Sequence, residues 1–260
     1  MIYSLFIYAV FLFILLYGIR PQGLTSEDGY LSSFNSLRGL FALEIVVGHV
    51  VRYESSLLYP LGKFMIVSVA YFFFVSAYGL SLSMERKPDY LRGFLQKKCA
   101  YLVLIALLAY IFSLIAGLIS GQAIGSSDVI LGFFTETNWY IWELIFFYVL
   151  FYIGFRFIKK GRLAFIFAAT LLLCLFCFYI GLQQAYYSSA FGFFAGLLFH
   201  RCFDGIKAFL WEKRGLLLTT LMLILGLMSL MLSAESLMGM VLRNIMCISV
   251  LMLLYYFLSY

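Results

Sequence analysis

The chain has 260 residues, of which 65% are hydrophobic, 20% aromatic and only 12% charged, with a mean hydropathy of +1.03. Soluble domains carry about 25% charged residues, so this composition excludes a soluble globular domain, a disordered chain and a coiled coil. Apolar runs of ~20 residues also exclude an outer-membrane barrel, whose strands alternate polar and apolar side chains. We therefore predict an all-α bundle of transmembrane helices.

Nine apolar runs are candidate spans, given that about 20 apolar residues cross a bilayer. The first run lacks a basic start and a small-residue cleavage site, so we interpret it as a retained anchor helix and not a signal peptide. The runs at 37–52 and 186–199 are short and need their flanks to cross. In chain order the runs are 1–19, 37–52, 64–83, 100–119, 139–158, 163–181, 186–199, 215–233 and 238–258.

Basic residues are concentrated in alternate loops between these runs. Fifteen of the 18 Lys and Arg residues lie in or beside the first, third, fifth and seventh loops. Cytoplasmic loops are enriched in Lys and Arg, so the alternation predicts an N-terminus outside and a C-terminus in the cytoplasm. The net charge of +6 is thereby explained without a nucleic-acid partner.

No linker or low-complexity tract interrupts the chain, so we predict a single membrane-embedded domain over residues 1–260, in which 1–19 is an additional anchor. The last apolar run ends without a polar tail at Tyr260. This ending leads us to expect a shortened form of a longer protein.

Ionisable residues inside the predicted spans are the first candidates for a site, because charge at membrane depth is costly. They are Glu44 and His49 in the second span, Glu143 in the fifth and Arg243 in the ninth. Arg38 lies at the cytoplasmic entrance of the second span. We interpret Arg243, together with His200, as residues at a membrane boundary.

Arg38 and His49 are eleven positions apart, which puts them ~16 Å apart along a helix and on nearly the same face. An elongated ligand entering from the cytoplasm could contact both, and a nucleotide-linked thioester has that shape. Arginine suits phosphate, and a neutral imidazole suits removal of a hydroxyl proton. Both residues also have structural interpretations, since an interfacial arginine commonly snorkels and an intramembrane histidine commonly bonds a neighbouring helix.

Two glutamates have less certain roles. Glu44 lies on a different face of the second span from Arg38, and it either assists His49 through water or holds another helix. Glu143 lies near the outer end of the fifth span, where it either lines an acceptor cavity or is solvated at the interface.

Five short segments lie in this order between about residues 34 and 200: Asn35–His49, Tyr71–Tyr78, Tyr90–Lys98, Trp139–Leu144 and Phe193–Leu198. Together they resemble, in the same order, motifs of the acyltransferase-3 family. That family consists of integral-membrane O-acyltransferases whose opening helix carries an Arg, ten residues and a His.

The resemblance implies a cytoplasmic acyl-CoA donor, with acetyl-CoA the first expectation, and an acceptor hydroxyl on a carbohydrate or other envelope molecule. His49 corresponds to the essential histidine of the family, acting as a base or relaying the acyl group, and Arg38 corresponds to its arginine. Residues implied for donor binding are Arg38, Arg92, Lys97 and Lys98. Residues expected near the acceptor are Ser76, Tyr78, Trp139, Trp142 and Glu143.

We therefore predict a multi-pass O-acyltransferase of the plasma membrane with His49, Arg38 and Glu44 as catalytic candidates and no metal. A transporter or flippase of envelope lipids or polysaccharide would use the same buried charges as a substrate path. A non-catalytic, degenerate homologue is the third interpretation. Transfer of label from acyl-CoA to an acceptor distinguishes the first from the other two.

Overall fold

The computed structural model describes residues 26–51, 59–121, 132–133, 139–231 and 236–258. The predicted anchor at 1–19 lies outside these residues. The described elements, in chain order, are α1 (Glu27–Val51), α2 (Tyr59–Arg86), α3 (Phe94–Ile119), α4 (Trp139–Phe157), α5 (Arg162–Tyr179), α6 (Ala185–Ser188), α7 (Phe191–Arg201), α8 (Phe203–Trp211), α9 (Lys213–Leu227), a 3₁₀ turn (Met228–Met231) and α10 (Leu237–Leu258).

The all-α prediction is confirmed, because every regular element in the described part of the chain is a helix. Among the described residues, five helices are long and apolar enough to cross a membrane: Phe64–Arg86 within α2, and α3, α4, α5 and α10. The count of nine spans and the orientation of the termini stay predictions.

The run at 186–199 is not one helix. It is divided between α6, which ends at Ser188, and α7, which begins at Phe191. With 11 residues, α7 is about 16 Å long and by itself falls well short of the ~30 Å hydrocarbon layer. Helix α7 is therefore too short to be a membrane span by itself, and most of its residues are buried in the protein.

The described residues form two compact units. Unit 1 takes them from Met1–Leu82 and Leu172–Tyr260, and unit 2 takes them from Ser83–Leu171. Each unit is described separately below.

Aromatic rings form the centre of unit 1. One face of α1 presents Tyr30, Phe34 and Phe41, at helical spacing. Tyr30 stacks on Tyr255 of α10 with ring centroids 4.4 Å apart, and Phe41 stacks on Tyr71 of α2 at 3.9 Å. The Tyr71 hydroxyl donates a hydrogen bond to the Phe34 carbonyl oxygen. These contacts fix which face of α1 is turned inward.

Helices α2 and α7 of unit 1 pack with their backbones in contact. A Cβ atom added at Gly192 would meet the backbone of Ala70, with the Ala70 Cα atom only 2.9 Å away. A Cβ atom added at Gly196 would meet the Phe74 carbonyl oxygen and lie 2.9 Å from the Ala77 Cβ. This spacing of small residues is how membrane helices reach close packing.

In unit 2, α3 and α4 are antiparallel neighbours. Phe94 at the start of α3 lies parallel to the ring of Tyr152 near the end of α4, at 6.5 Å between centroids. Further along α3, Tyr110 contacts Phe133, which in turn contacts Trp142 near the start of α4. At the turn into α5, Arg162 lies over the Phe155 ring of α4 at 5.0 Å.

Most of α3 faces outward. Only Phe94, Ala106 and Tyr110 are buried in its 26 residues, while its Leu, Ile, Val and Phe side chains are largely exposed. A helix that is apolar all round is stable in lipid and not in water. This exposed surface is what a lipid-facing helix requires.

The contact between α2 and α7 predicts different responses to the same change at two helical glycines. Gly192→Ala places a methyl group against the Ala70 backbone and should cost about 1–3 kcal/mol through overpacking. Gly205→Ala in α8 is the matched control, because a Cβ there meets nothing within 4 Å, and alanine is the better helix former by ~1 kcal/mol.

The measurement is the thermal midpoint of each variant in detergent. We expect a clear decrease for Gly192→Ala and no decrease for Gly205→Ala. Equal midpoints for the two variants would contradict the close packing of α2 on α7.

Candidate functional site

Arg38 and His49 share one flank of α1, and both are exposed. The inward face of the helix contains Tyr30, Phe34 and Gly48, all buried. Helical geometry puts the two candidates about 90° around α1 from the centre of that face and ~16 Å apart along it. They therefore flank the packed interface without being closed inside it.

Glu44 takes a different position from the other two catalytic candidates. It is 5% exposed, and the Ser68 hydroxyl of α2 donates a hydrogen bond to its Oε2. Its Oε1 is buried with no hydrogen-bond partner among the described residues. The carboxyl group faces α2, about 140° around α1 from His49. The structure thus joins Glu44 to Ser68 and does not join it to His49.

The two candidates on α2 differ in exposure. Ser76 is half-buried, whereas Tyr78 is fully buried. The Tyr78 ring lies parallel to Phe74 at 6.0 Å between centroids and meets the His200 ring edge-on at 6.0 Å. Tyr78 is part of the aromatic centre of unit 1.

The start of α4 holds the three remaining acceptor candidates, within unit 2. Trp139 and Trp142 are half-buried, and the indole N–H of Trp142 donates to the Phe133 carbonyl oxygen at 3.3 Å. Glu143 is 5% exposed, so it is not solvated at an interface. Neither of its carboxyl oxygens has a hydrogen-bond partner within the described ranges.

A cavity of 460 Å³ lies in unit 2, where the loop after α2 meets the end of α4. Arg92 is one of its lining residues, whereas Lys97 and Lys98 are exposed on α3 and do not line it. The residues around it are Met84, Lys87, Pro88, Asp89, Tyr90, Leu91, Arg92, Gly93, Tyr152 and Arg156. The structure therefore brings Arg92 together with two cations that the sequence analysis left unassigned.

Arg243, which the sequence analysis placed at a membrane boundary, is enclosed by other parts of the protein. Its side chain is only 3% exposed within α10. Its Nε donates to the Ser188 hydroxyl oxygen at 3.0 Å. Beside it, the Asn244 Nδ2 donates to the Tyr187 carbonyl oxygen at 2.7 Å, and Oδ1 accepts from the Phe191 backbone N–H at 3.3 Å. The adjacent Arg and Asn inside an apolar run were the signal for this buried polar cluster.

His200 is held by a polar contact with Glu27 at the other end of α7. Its Nδ1 lies 2.9 Å from the Glu27 carboxylate, and both side chains are partly buried. This contact ties the start of α1 to the end of α7 in unit 1.

Comparison with known protein families decides the assignment of the chain. A model of the acyltransferase-3 family, described as an acyltransferase domain, matches residues 31–260. The chain belongs to the acyltransferase-3 family. No curated protein and no solved structure matches this acyltransferase-3 chain.

Family membership confirms the resemblance found in the sequence motifs and extends it. The motifs cover about residues 34–200, whereas the family match continues through α8, α9 and α10 to residue 260. Arg38 and His49 lie inside the matched region. With five helices suited to crossing a membrane in the part of the chain that the structure describes, the acyltransferase-3 chain has the character of an integral membrane protein with an acyltransferase-like role.

The Glu44 contact predicts that the Ser68 hydroxyl stabilises this acyltransferase-3 fold. Ser68→Ala leaves a buried carboxyl group without its donor, which should cost about 1–3 kcal/mol. Ser81→Ala is the matched control on the same helix, because the Ser81 hydroxyl is equally buried and has no hydrogen-bond partner in the part of the chain that the structure describes.

Thermal midpoints in detergent test this difference. Ser68→Ala should unfold at a lower temperature than wild type, and Ser81→Ala should not. A Ser68→Ala protein as stable as the control would mean that Glu44 does not depend on this hydrogen bond.

Proposed function

We propose that the protein is a membrane-bound O-acyltransferase of the cytoplasmic membrane. It moves an acyl group, acetyl in the first instance, from acyl-CoA on the cytoplasmic side to a hydroxyl of a carbohydrate or other envelope acceptor. The observation that carries this proposal is the family match over residues 31–260, joined to an Arg38–His49 pair that is exposed along one flank of α1.

His49 acts as the general base. Its neutral imidazole accepts the proton of the acceptor hydroxyl while the hydroxyl oxygen attacks the thioester carbonyl carbon. The tetrahedral intermediate then breaks its C–S bond, and the CoA sulfur leaves and takes the proton from the imidazolium. The products are the O-acyl ester and free CoA, so the histidine ends as it began.

Arg38 binds the donor. A guanidinium keeps its charge and donates several hydrogen bonds in a fixed plane, which suits a phosphate or a developing oxyanion. Support comes from its exposed position, about three turns of helix from His49.

Glu143 and the two tryptophans near the start of α4 contact the acceptor. The support is chemical. Glu143 is a buried carboxyl group whose two oxygens have no hydrogen-bond partner among the described residues; such oxygens can accept hydrogen bonds from sugar hydroxyls, and burying them without a partner costs stability. Tryptophan rings offer flat apolar faces to a sugar ring.

The first test replaces the proposed base. His49→Ala should lower the rate of acyl transfer from labelled acetyl-CoA in membranes by 10²–10⁴-fold, the usual contribution of general base catalysis. Val46→Ala is the control, since Val46 is exposed on the same helix and has no proposed role.

Three results would contradict the assignment. Wild-type transfer by His49→Ala would remove His49 from catalysis. An acceptor that crosses the membrane without becoming labelled would identify a transporter instead, and an acyl group trapped on the enzyme would replace direct transfer by a relay.

The second test concerns the donor. Arg38→Lys keeps the charge but loses the planar fork, so we expect the KM for acyl-CoA to rise about tenfold with a smaller change in kcat. Arg201→Lys, an exposed cation at the end of α7, should leave both constants unchanged. Unaltered donor kinetics in Arg38→Lys would remove Arg38 from the donor site.

A further inference from the structure

Helix α8 of unit 1 is short and lies in a segment rich in cations. It has nine residues, Phe203–Trp211. It follows α7 after the single residue Cys202, and α9 begins at Lys213. Two acidic residues of the segment, Asp204 and Glu212, are outnumbered by its four basic ones, Arg201, Lys207, Lys213 and Arg214. The segment from Arg201 to Arg214, which we call the α8 corner, therefore carries a net positive charge.

The cations of the α8 corner are not neutralised by neighbouring carboxylates. Arg201, Lys213 and Arg214 are exposed, and Lys207 is half-buried. None of the four forms an ion pair within the described residues. Cations of one sign left together on a surface create a local positive potential. The corner therefore attracts an anionic partner.

One face of α8 packs on the aromatic centre of unit 1. Phe203 and Leu210 are buried in the same cluster as Tyr255, and Ile206 packs against that cluster. The Phe203 ring meets the Tyr255 ring at 5.9 Å between centroids. Positions spaced by three and then four residues share one face of a helix. Helix α8 is therefore held by this face, and its other side chains point away from the core.

Two large aromatic side chains of α8 stay exposed beside the cations. Trp211 is 53% exposed and Phe209 is 39% exposed. Trp211 follows Lys207 by one turn, so the two side chains are neighbours on one flank of α8. The Trp211 ring also contacts Tyr256 of α10, at 6.3 Å between centroids. An exposed tryptophan at the end of apolar helices is typical of the boundary between water and lipid.

The turn from α8 into α9 is held tightly. A Cβ atom added at Gly215 would meet the Phe209 carbonyl oxygen and lie 2.7 Å from the carbonyl carbon, so the two helices touch through their backbones. The Glu212 N–H donates to the Ala208 and Phe209 carbonyl oxygens, each at 3.3 Å. The first residues of α9, Lys213 and Arg214, therefore have a fixed place next to α8.

Apolar surface continues from these cations along α9. Leu217, Leu218 and Leu221 are between 46% and 60% exposed. A row of exposed leucines is suited to lipid chains and not to water. The same helix thus presents two cations at its start and a surface for acyl chains directly after them.

We propose that the α8 corner binds the headgroup of an anionic phospholipid in the cytoplasmic leaflet of the membrane. The cations contact the headgroup phosphate, Trp211 and Phe209 lie at the level of the glycerol esters, and the acyl chains run along α9. Four or more Lys and Arg residues on a helix or beside membrane helices on the cytoplasmic side are typical of sites for anionic lipids. The inference is independent of the proposed acyl transfer.

The location agrees with the predicted topology. The α8 corner belongs to the seventh loop, one of the four whose basic residues predict a cytoplasmic position. The cytoplasmic leaflet has a negative surface potential, which comes from its anionic lipids. Phosphatidylcholine has no net charge, so the corner should distinguish phosphatidylglycerol from it.

Fluorescence of Trp211 in nanodiscs tests the site. The chain has three tryptophans, so the Trp139→Phe/Trp142→Phe protein retains Trp211 as its only one. Brominated phosphatidylglycerol and brominated phosphatidylcholine, which quench a tryptophan on contact, are introduced in turn as the same minor fraction of a phosphatidylcholine bilayer. We expect much stronger quenching by the phosphatidylglycerol, because the cations concentrate it beside Trp211.

Charge removal at the start of α9 gives the quantitative test. Lys213→Gln/Arg214→Gln in the same background should weaken phosphatidylglycerol binding about thirtyfold, since each cation near an anionic surface contributes about fivefold. Lys159→Gln/Lys160→Gln is the matched control, because those two lysines are an exposed adjacent pair in the turn between α4 and α5, which has no helix of its own. The control should bind phosphatidylglycerol like the parent protein.

Three results would overturn the inference: equal quenching by the two brominated lipids in the parent protein, no quenching by either, or an equal loss in the two double variants. Quenching by phosphatidylglycerol that disappears on addition of CoA or inorganic phosphate would also overturn it, since the cations would then belong to a soluble phosphate ligand. Native mass spectrometry of the unaltered chain, taken from a mixture of the two lipids, repeats the comparison without tryptophan replacements. Retention of both lipids in equal amounts there would contradict a headgroup site.

Discussion

The rotation of α1 about its own axis is the constraint on which the proposed site depends. Tyr30, Phe34 and Phe41 are turned inward by their ring contacts, and the Tyr71 hydroxyl fixes the backbone of α1 at Phe34. A helix of 25 residues held along one face has no freedom to present another. Arg38 and His49 therefore stay on the flank, and a rotation of α1 by a quarter turn would bury them both or turn them away together.

Three ionisable side chains are buried in the apolar helices, and they differ in their hydrogen-bond partners. Glu44 has a hydroxyl donor from the neighbouring helix, and Arg243 is bonded to Ser188. Glu143 is equally buried, yet its two oxygens have no partner in the described residues. Burying polar atoms without partners is costly, so a group kept in that condition is a better candidate for contact with a substrate than one already satisfied. This contrast is why Glu143 belongs to the acceptor side of the proposal.

Periodicity and composition predicted the parts of the molecule that depend on a single helix. The shared face of Arg38 and His49 follows from their spacing alone, and apolar runs of membrane length correspond to α2, α3, α4, α5 and α10. Contacts between segments distant in sequence could not be read in the same way. The break at residues 189–190, the burial of Arg243 and the cavity that joins Lys87 to Arg156 each depend on which helix packs against which, and one apolar helix face resembles another in sequence.

The polar cluster around Asn244 has a consequence for what this protein tolerates. A chain that stops one helix at Ser188 and starts another at Phe191 exposes backbone amides and carbonyls, which have no water to bind inside a bilayer. In an uninterrupted helix the Phe191 N–H would donate to the Tyr187 carbonyl oxygen. The Asn244 side chain binds both groups instead, because its Oδ1 accepts from the Phe191 N–H and its Nδ2 donates to the Tyr187 carbonyl oxygen. A more hydrophobic residue at position 244 is therefore not better tolerated. Leucine would be compatible with lipid, but it would leave the Tyr187 carbonyl oxygen and the Phe191 N–H without the hydrogen bonds that Asn244 provides.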